Sequence, residues 1–244
     1  GGGLMPILLK PPGGKEAQGL RLDSPHPCLL KREMHALFSP GKDRGERVRM
    51  LDLFSGLGGA SEAFLRAGWD VTRLDNEPLL NDVPHTEMCD VRTLYNPDWG
   101  GPIDLIWASP PCLEFSNAFA APGPTALREG RDFEPDLSLL RAAVEIIGLV
   151  KPRWWVIENV SGASKIFSQE LGMPPRQIIG SIFLWGLFPR LIMDDGWSHK
   201  KAENPVEWEK DNPLRPTHRA KIPLEVSQKL LEAITQQRTL EDYI

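Results

Sequence analysis

The sequence has no long apolar run, few cysteines and no excess of positive charge, and each absence narrows what it can be. No stretch of its 244 residues approaches the ~20 consecutive apolar positions that span a bilayer, so no membrane partner is expected. The Gly- and Pro-rich amino-terminal stretch lacks the apolar core of a signal peptide. Cysteine occurs three times, at Cys28, Cys89 and Cys112. These are too widely spaced for a metal pattern or a disulfide framework, which points to no metal and to a reducing, cytoplasmic compartment. The formal net charge is -5. That balance argues against a nucleic-acid partner, because phosphate contacts come from Lys and Arg. It is a weak veto, since a local basic surface can bind DNA on an acidic molecule. Candidate basic segments are Arg128 to Arg131, Lys151 to Arg153, His199 to Lys201 and Arg215 to Lys221.

What is present is an ordinary globular composition, 41% hydrophobic and 25% charged, on a chain long enough for one α/β domain. Residues 1–47 carry Gly1-Gly2-Gly3, Pro11-Pro12-Gly13-Gly14 and Ser39-Pro40-Gly41. These breakers leave no helical or strand period. An irregular extension is expected there, with Leu29, Leu30, Leu37 and Phe38 available to pack on the body. From Met50 to Phe54 an apolar run predicts a buried strand, ended by Ser55-Gly56. Ala60, Ala63, Phe64 and Ala67 then keep helical spacing, with Gly68 at the expected end. Val71 to Leu74 predicts a second strand ending at Asp75, and Ile103 to Trp107 a third ending at Ser109-Pro110-Pro111. Leu137, Leu140, Val144, Ile147 and Val150 predict a helix closed by Pro152. Trp154 to Ile157 predicts another strand, ended by Glu158-Asn159, and Leu224 to Thr235 a last helix. Residues 162–217 show no readable order.

Alternating strands and helices imply a doubly wound, mostly parallel sheet. Ligands bind beyond the carboxyl ends of such strands, and every polar motif found here falls at one. Asp52 to Gly59 forms a glycine turn after the first strand, suited to close backbone approach; it could equally be a tight turn or hold a dinucleotide. Asp75, some 20 residues on, sits where a carboxylate accepts from ribose hydroxyls. Asp90, in Cys89-Asp90-Val91, could accept from an adenine amine. Either acid could instead cap a turn. Cys112 follows two prolines that fix the backbone. Glu158-Asn159 would be costly to bury without partners.

The stretches Asp52-Leu53-Phe54-Ser55-Gly56-Leu57-Gly58-Gly59, Ser109-Pro110-Pro111-Cys112 and Glu158-Asn159-Val160, in that order, resemble the cytosine-5 DNA methyltransferases over residues 49–162. Arg219-Ala220-Lys221-Ile222-Pro223 is similar to the end of short phage-type members. The resemblance implies a Rossmann-like methyltransferase domain over residues 48–244, with S-adenosylmethionine as cofactor and DNA as partner. Phe54, Ser55, Gly56, Leu57, Gly58, Asp75, Asn76, Asp90, Val91 and Pro110 are then expected around the cofactor. The implied catalytic set is Cys112 as thiolate nucleophile on cytosine carbon 6, Glu158 as donor to the ring, Asn159 as support for the Cys112 loop, and Arg176. Arg176 is only a candidate counterpart to an arginine segment of the family. The family's Gly-Asn pair near the carboxyl terminus is missing. Residues 162–217 are short for a recognition region, leaving His199-Lys200-Lys201, Trp208 and Arg215 as a minimal substrate surface. Short target sites, low specificity, a partner subunit and a non-duplex substrate all fit that size. RNA or nucleotide substrates, and a catalytically silent regulator, are the competing readings.

Overall fold

The computed structural model describes residues 48–94, 99–198 and 211–241. The expectations for residues 1–47, His199 to Lys201 and Trp208 fall outside the described residues. Seven strands form one sheet in the order β3-β2-β1-β4-β5-β7-β6. They are β1 Arg49–Leu53, β2 Asp70–Asp75, β3 Thr86–Met88, β4 Leu105–Ala108, β5 Trp154–Val160, β6 Gln177–Ile179 and β7 Ile182–Leu187. The first five are parallel; β7 is antiparallel to both β5 and β6. The helices are α1 Glu62–Arg66, α2 Pro122–Arg128, α3 Ser138–Val150, α4 Ser164–Leu171, α5 Arg215–Ala220 and α6 Leu224–Glu241.

The sheet is covered on both faces, as a mainly parallel sheet must be. Strand alternation sends Leu51, Leu53, Ile106 and Ile157 toward one cluster, with Leu140, Ala143 and Ile146 of α3 and Phe167 of α4. Met50, Leu105, Trp107, Trp154 and Val156 meet the other, with Phe64 of α1 and Val226, Leu230 and Ile234 of α6. The last helix is locked to the first by Ser227. Its hydroxyl donates to the Ala60 carbonyl at 2.7 Å and accepts from the Ala63 amide at 3.1 Å.

The doubly wound reading holds, and the strands and helices predicted up to residue 160 lie where expected. Gly68 ends its helix with φ +83°, and Lys151 closes α3 in the left-handed region, just before Pro152. The unordered stretch is corrected: residues 164–187 form α4, β6 and β7, and complete the sheet. No described helix is long and apolar enough to cross a membrane.

Candidate functional site

The parallel registers bring four strand ends to one edge. Leu53 pairs with both Leu74 and Ala108, and Ala108 with Ile157. The residues that follow these positions are the glycine turn, Asp75, the Ser109 to Cys112 loop, and Glu158-Asn159.

The glycine turn is left-handed at Phe54, Gly56 and Gly58. Asp75 closes it from below: its Oδ2 accepts from the Gly56 amide at 2.8 Å, and its Oδ1 from the Glu77 amide at 3.0 Å. Each oxygen keeps a lone pair for a ligand. The Ser55 hydroxyl is buried without a hydrogen-bond partner among the described residues, an arrangement that a polar ligand at the turn would complete. Leu57 is half-buried, Asn76 exposed and Val91 buried in the core. Asp90 is held by its neighbours. It caps a 3₁₀ turn and accepts three bonds from the Arg92 side chain, which with that capping bond holds its carboxyl below the usual range. Asp90 is thus a turn cap in this fold.

Beneath the turn lies a polar cluster that sequence reasoning missed. Arg73, 2% exposed, donates to the Ser61 hydroxyl at 2.8 Å, the Gly58 carbonyl at 3.0 Å and the Pro84 carbonyl at 3.0 Å. Ser61 in turn donates to Asp52 at 2.6 Å. Burial pushes the Asp52 carboxyl up to about 7, against the Ser61 hydrogen bond and the Arg73 charge. A methyl group at Gly58 would overlap the Arg73 guanidinium, so glycine is required there twice, for its φ and for the arginine. An arginine between Thr72 and Leu74 reads from sequence as a solvated strand residue, and nothing local signals its burial.

Cys112 keeps its thiol and is half-buried, at the start of a 3₁₀ turn over Leu113–Phe115. Three contacts fix its loop. The Asn159 side-chain amide donates to the Pro110 carbonyl at 2.9 Å, while its oxygen accepts from the Val160 amide at 2.9 Å. The Phe115 ring packs edge-on against Phe167, 5.0 Å between centroids. Gly162 lies so close to the Phe115 carbonyl that no larger residue fits. Glu158, on the adjacent strand, is hydrogen-bonded by Ser109, which accepts from the Trp107 indole at 2.7 Å. Burial pushes the Glu158 carboxyl up to about 7 despite that bond. Leu113, Phe119 and Leu127 project beside the loop, and Arg128 stacks on Phe119 at 3.7 Å.

The Arg176 backbone amide donates to the Leu184 carbonyl, whose residue pairs with Glu158, but its side chain turns away from this edge. Its Nε donates to the Phe188 carbonyl at 2.6 Å, in a groove shared with Arg153 and Trp154 at the amino end of β5. Among the described residues, no group of three or more His, Cys, Asp or Glu is placed to hold a metal ion.

The chain is similar to a probable DNA (cytosine-5)-methyltransferase of Frog virus 3 (isolate Goorha). They are 33% identical over 118 residues, 46% of this chain and 53% of the relative, so the match spans about half of that protein. It is 29% identical over 140 residues to the type II methyltransferase M.HgiGI of Herpetosiphon aurantiacus, covering 50% of this chain and 99% of that one. Among solved structures, a putative DNA modification methyltransferase encoded in an E. coli prophage aligns with a TM-score of 0.41 at 21% identity, covering 57% of this chain and 46% of that one. The family model described as C-5 cytosine-specific DNA methylase matches residues 48–170, the same stretch that carries the glycine turn, Cys112 and Glu158-Asn159, and the chain belongs to that family.

Proposed function

We propose that the chain transfers a methyl group from S-adenosylmethionine to carbon 5 of cytosine in DNA, through a covalent bond from Cys112. The observation that carries this reading is the pairing of a held thiol with a near-neutral carboxyl at adjacent strand ends. Asn159 ties the Cys112 loop to β5, and Glu158 beside it is pushed up to about 7 by burial.

Phe54 to Gly58 with Asp75 would hold the cofactor, and the unpartnered Ser55 hydroxyl and the carboxylate at Asp75 suit its polar groups. When bound, S-adenosylmethionine supplies an electrophilic methyl group. Cytosine carbon 5 is a poor nucleophile. Addition of the Cys112 thiolate to carbon 6 makes the ring enamine-like and turns one hard step into easier ones; once carbon 5 has taken the methyl group, loss of its proton to a base and elimination of the Cys112 thiolate from carbon 6 restore the ring and free the enzyme. Glu158 in its protonated form donates to ring nitrogen 3 and accepts the negative charge that addition pushes there; a carboxyl of ordinary pKa would be ionised at neutral pH and unable to donate. Asn159 keeps the Pro110 backbone in place so that the thiol meets the ring at one angle. A duplex substrate requires the cytosine to leave the stack, at about a few kcal/mol. The projecting Leu113 and Phe119, with Arg128, supply apolar and cationic surface for that strand.

The test is Cys112→Ala with labelled cofactor on cytosine-containing duplex DNA, with single-stranded DNA, tRNA and dCMP in parallel. No transfer by the variant, and transfer by the wild type to duplex DNA, is expected. Transfer that survives the substitution would rule out the covalent route, and transfer only to tRNA or dCMP would reassign the substrate.

A further inference from the structure

A buried arginine stands beneath the glycine turn, and its hydrogen bonds run to the turn, to the helix start behind it and to the segment that follows Asp75. Arg73 is 2% exposed and pairs with Asp52 in the register of β1 and β2. Taking a guanidinium out of water is costly, and well-packed apolar side chains of similar volume commonly serve stability as well or better. Stability alone therefore does not account for its placement, and its partners indicate what does.

Strand β2 grips the turn with two side chains. Arg73 and Asp75 are two residues apart and so lie on one face of the strand. The Asp75 carboxylate accepts from the Gly56 amide at 2.8 Å, and the Arg73 guanidinium donates to the Gly58 carbonyl at 3.0 Å. Between them the Gly58 amide donates back to the Ser55 carbonyl at 2.8 Å. The peptide groups of the turn are thus oriented from both ends. The same guanidinium reaches a second segment: it donates to the Pro84 carbonyl at 3.0 Å, while the Arg73 backbone amide donates to the His85 carbonyl at 3.0 Å. Pro84 ends the stretch that leaves the sheet at Asp75 and Asn76, so one side chain ties the turn to that stretch. Ser61 and Glu62, at the start of α1, hold the guanidinium in place, accepting at 2.8 Å and 3.2 Å. A planar fork serves these separate directions at once, whereas an ammonium on a flexible stem does not. Gly58 covers the guanidinium so closely that a methyl group there would overlap it, which keeps Arg73 from reaching a ligand above the turn.

We propose that Arg73 is a positioning residue for the cofactor: it locks the glycine turn to the Pro84 segment from beneath, and so sets the affinity for S-adenosylmethionine without touching it. The proposal rests on the reading of this turn as the cofactor site. Calorimetric titration with S-adenosylhomocysteine, without DNA and at a temperature where each variant is folded, tests it. Arg73→Lys keeps the charge and loses the fork; Arg73→Met keeps most of the stem and loses the charge. Each should weaken binding about tenfold or more, the equivalent of one charge-assisted hydrogen bond. Ile146→Ala, a cavity in the opposite layer, should lower the melting temperature and leave this affinity unchanged. In turnover, KM for S-adenosylmethionine should rise in the Arg73 variants and the rate at saturating cofactor should recover, the pattern of lost binding alone. Folded Arg73 variants that bind as the wild type does would overturn the proposal, and so would a loss matched by Ile146→Ala, which would reduce Arg73 to packing. A wild-type chain that does not bind S-adenosylhomocysteine would instead overturn the cofactor reading, and this proposal with it. If neither Arg73 variant keeps a thermal transition, Ser61→Ala, which releases the Nε donor alone of the guanidinium's bonds, takes their place, and unchanged affinity in it overturns the proposal.

Discussion

Two carboxyls, Asp52 and Glu158, are held near neutrality by burial, each pushed up to about 7, and they have different consequences. For both, the folded pKa lies above the ordinary value, so the native state holds more protons than the unfolded chain through the acid range. The stability they contribute is fully present below about pH 4 and is lost as pH rises through about 7. Asp52 is 1% exposed, and Asp52→Asn keeps an acceptor for Ser61 without the titration. Urea unfolding at about pH 5 and about pH 8 should show a loss of stability smaller in the variant than in the wild type, by on the order of 2–3 kcal/mol. At Glu158 the consequence is chemical. In the proposed reaction deprotonation would remove the donor to the ring, so single-turnover methyl transfer should fall on the alkaline side with a midpoint near 7. Glu158→Gln should lower the rate and abolish that limb; an unchanged limb would mean that another group titrates. Asn159 carries no charge yet holds two partners, Pro110 and Val160. Its replacement by Ala should cost about 1–3 kcal/mol, because a buried carbonyl and amide are left unpaired.

At the scale of elements, the site depends on two turns that tolerate no side chain. Gly58 meets Arg73, and Gly162 meets the Phe115 carbonyl of the Cys112 loop. Gly68 has φ +83° as well, but nothing stands near it. Gly68→Ala should therefore cost only the conformational penalty of about 1–2 kcal/mol and leave activity intact. Gly58→Ala should add a clash to that penalty and weaken cofactor binding. Gly162→Ala, at an ordinary φ, should separate the Cys112 loop from α4 and depress turnover more than cofactor affinity. Thermal melts with cofactor titration and turnover on the three variants distinguish these outcomes; equal effects on all three would dissociate the turns from the site.

At the scale of the molecule, one sheet serves both layers. Ile146 on α3 and Leu230 on α6 are buried against opposite faces. Truncation of either to Ala should lower the same unfolding transition by about 2–5 kcal/mol, and two separate transitions would show that the layers fold apart. The strands β1, β4 and β5 were legible in the sequence as short apolar runs because parallel strands bury both faces. The β6–β7 pair was not: it is an edge hairpin with Ile178 and Leu187 half exposed, so its pattern mixes with charged and Pro-rich neighbours.

The site divides along the same line. Order along the chain places the glycine turn, Asp75, Cys112 and Glu158-Asn159 at strand ends, because a parallel sheet sends every strand end to one side. The sequence by itself therefore determined the layered fold and the residues that gather at its carboxyl edge. Only the tertiary structure decided which polar groups are buried and what each touches. Arg73 is drawn under the glycine turn, the Asp90 carboxyl pairs with Arg92, and the Arg176 side chain turns to the Phe188 carbonyl. Burial and long-range hydrogen bonds are sums over neighbours distant in the chain, and no local pattern encodes them.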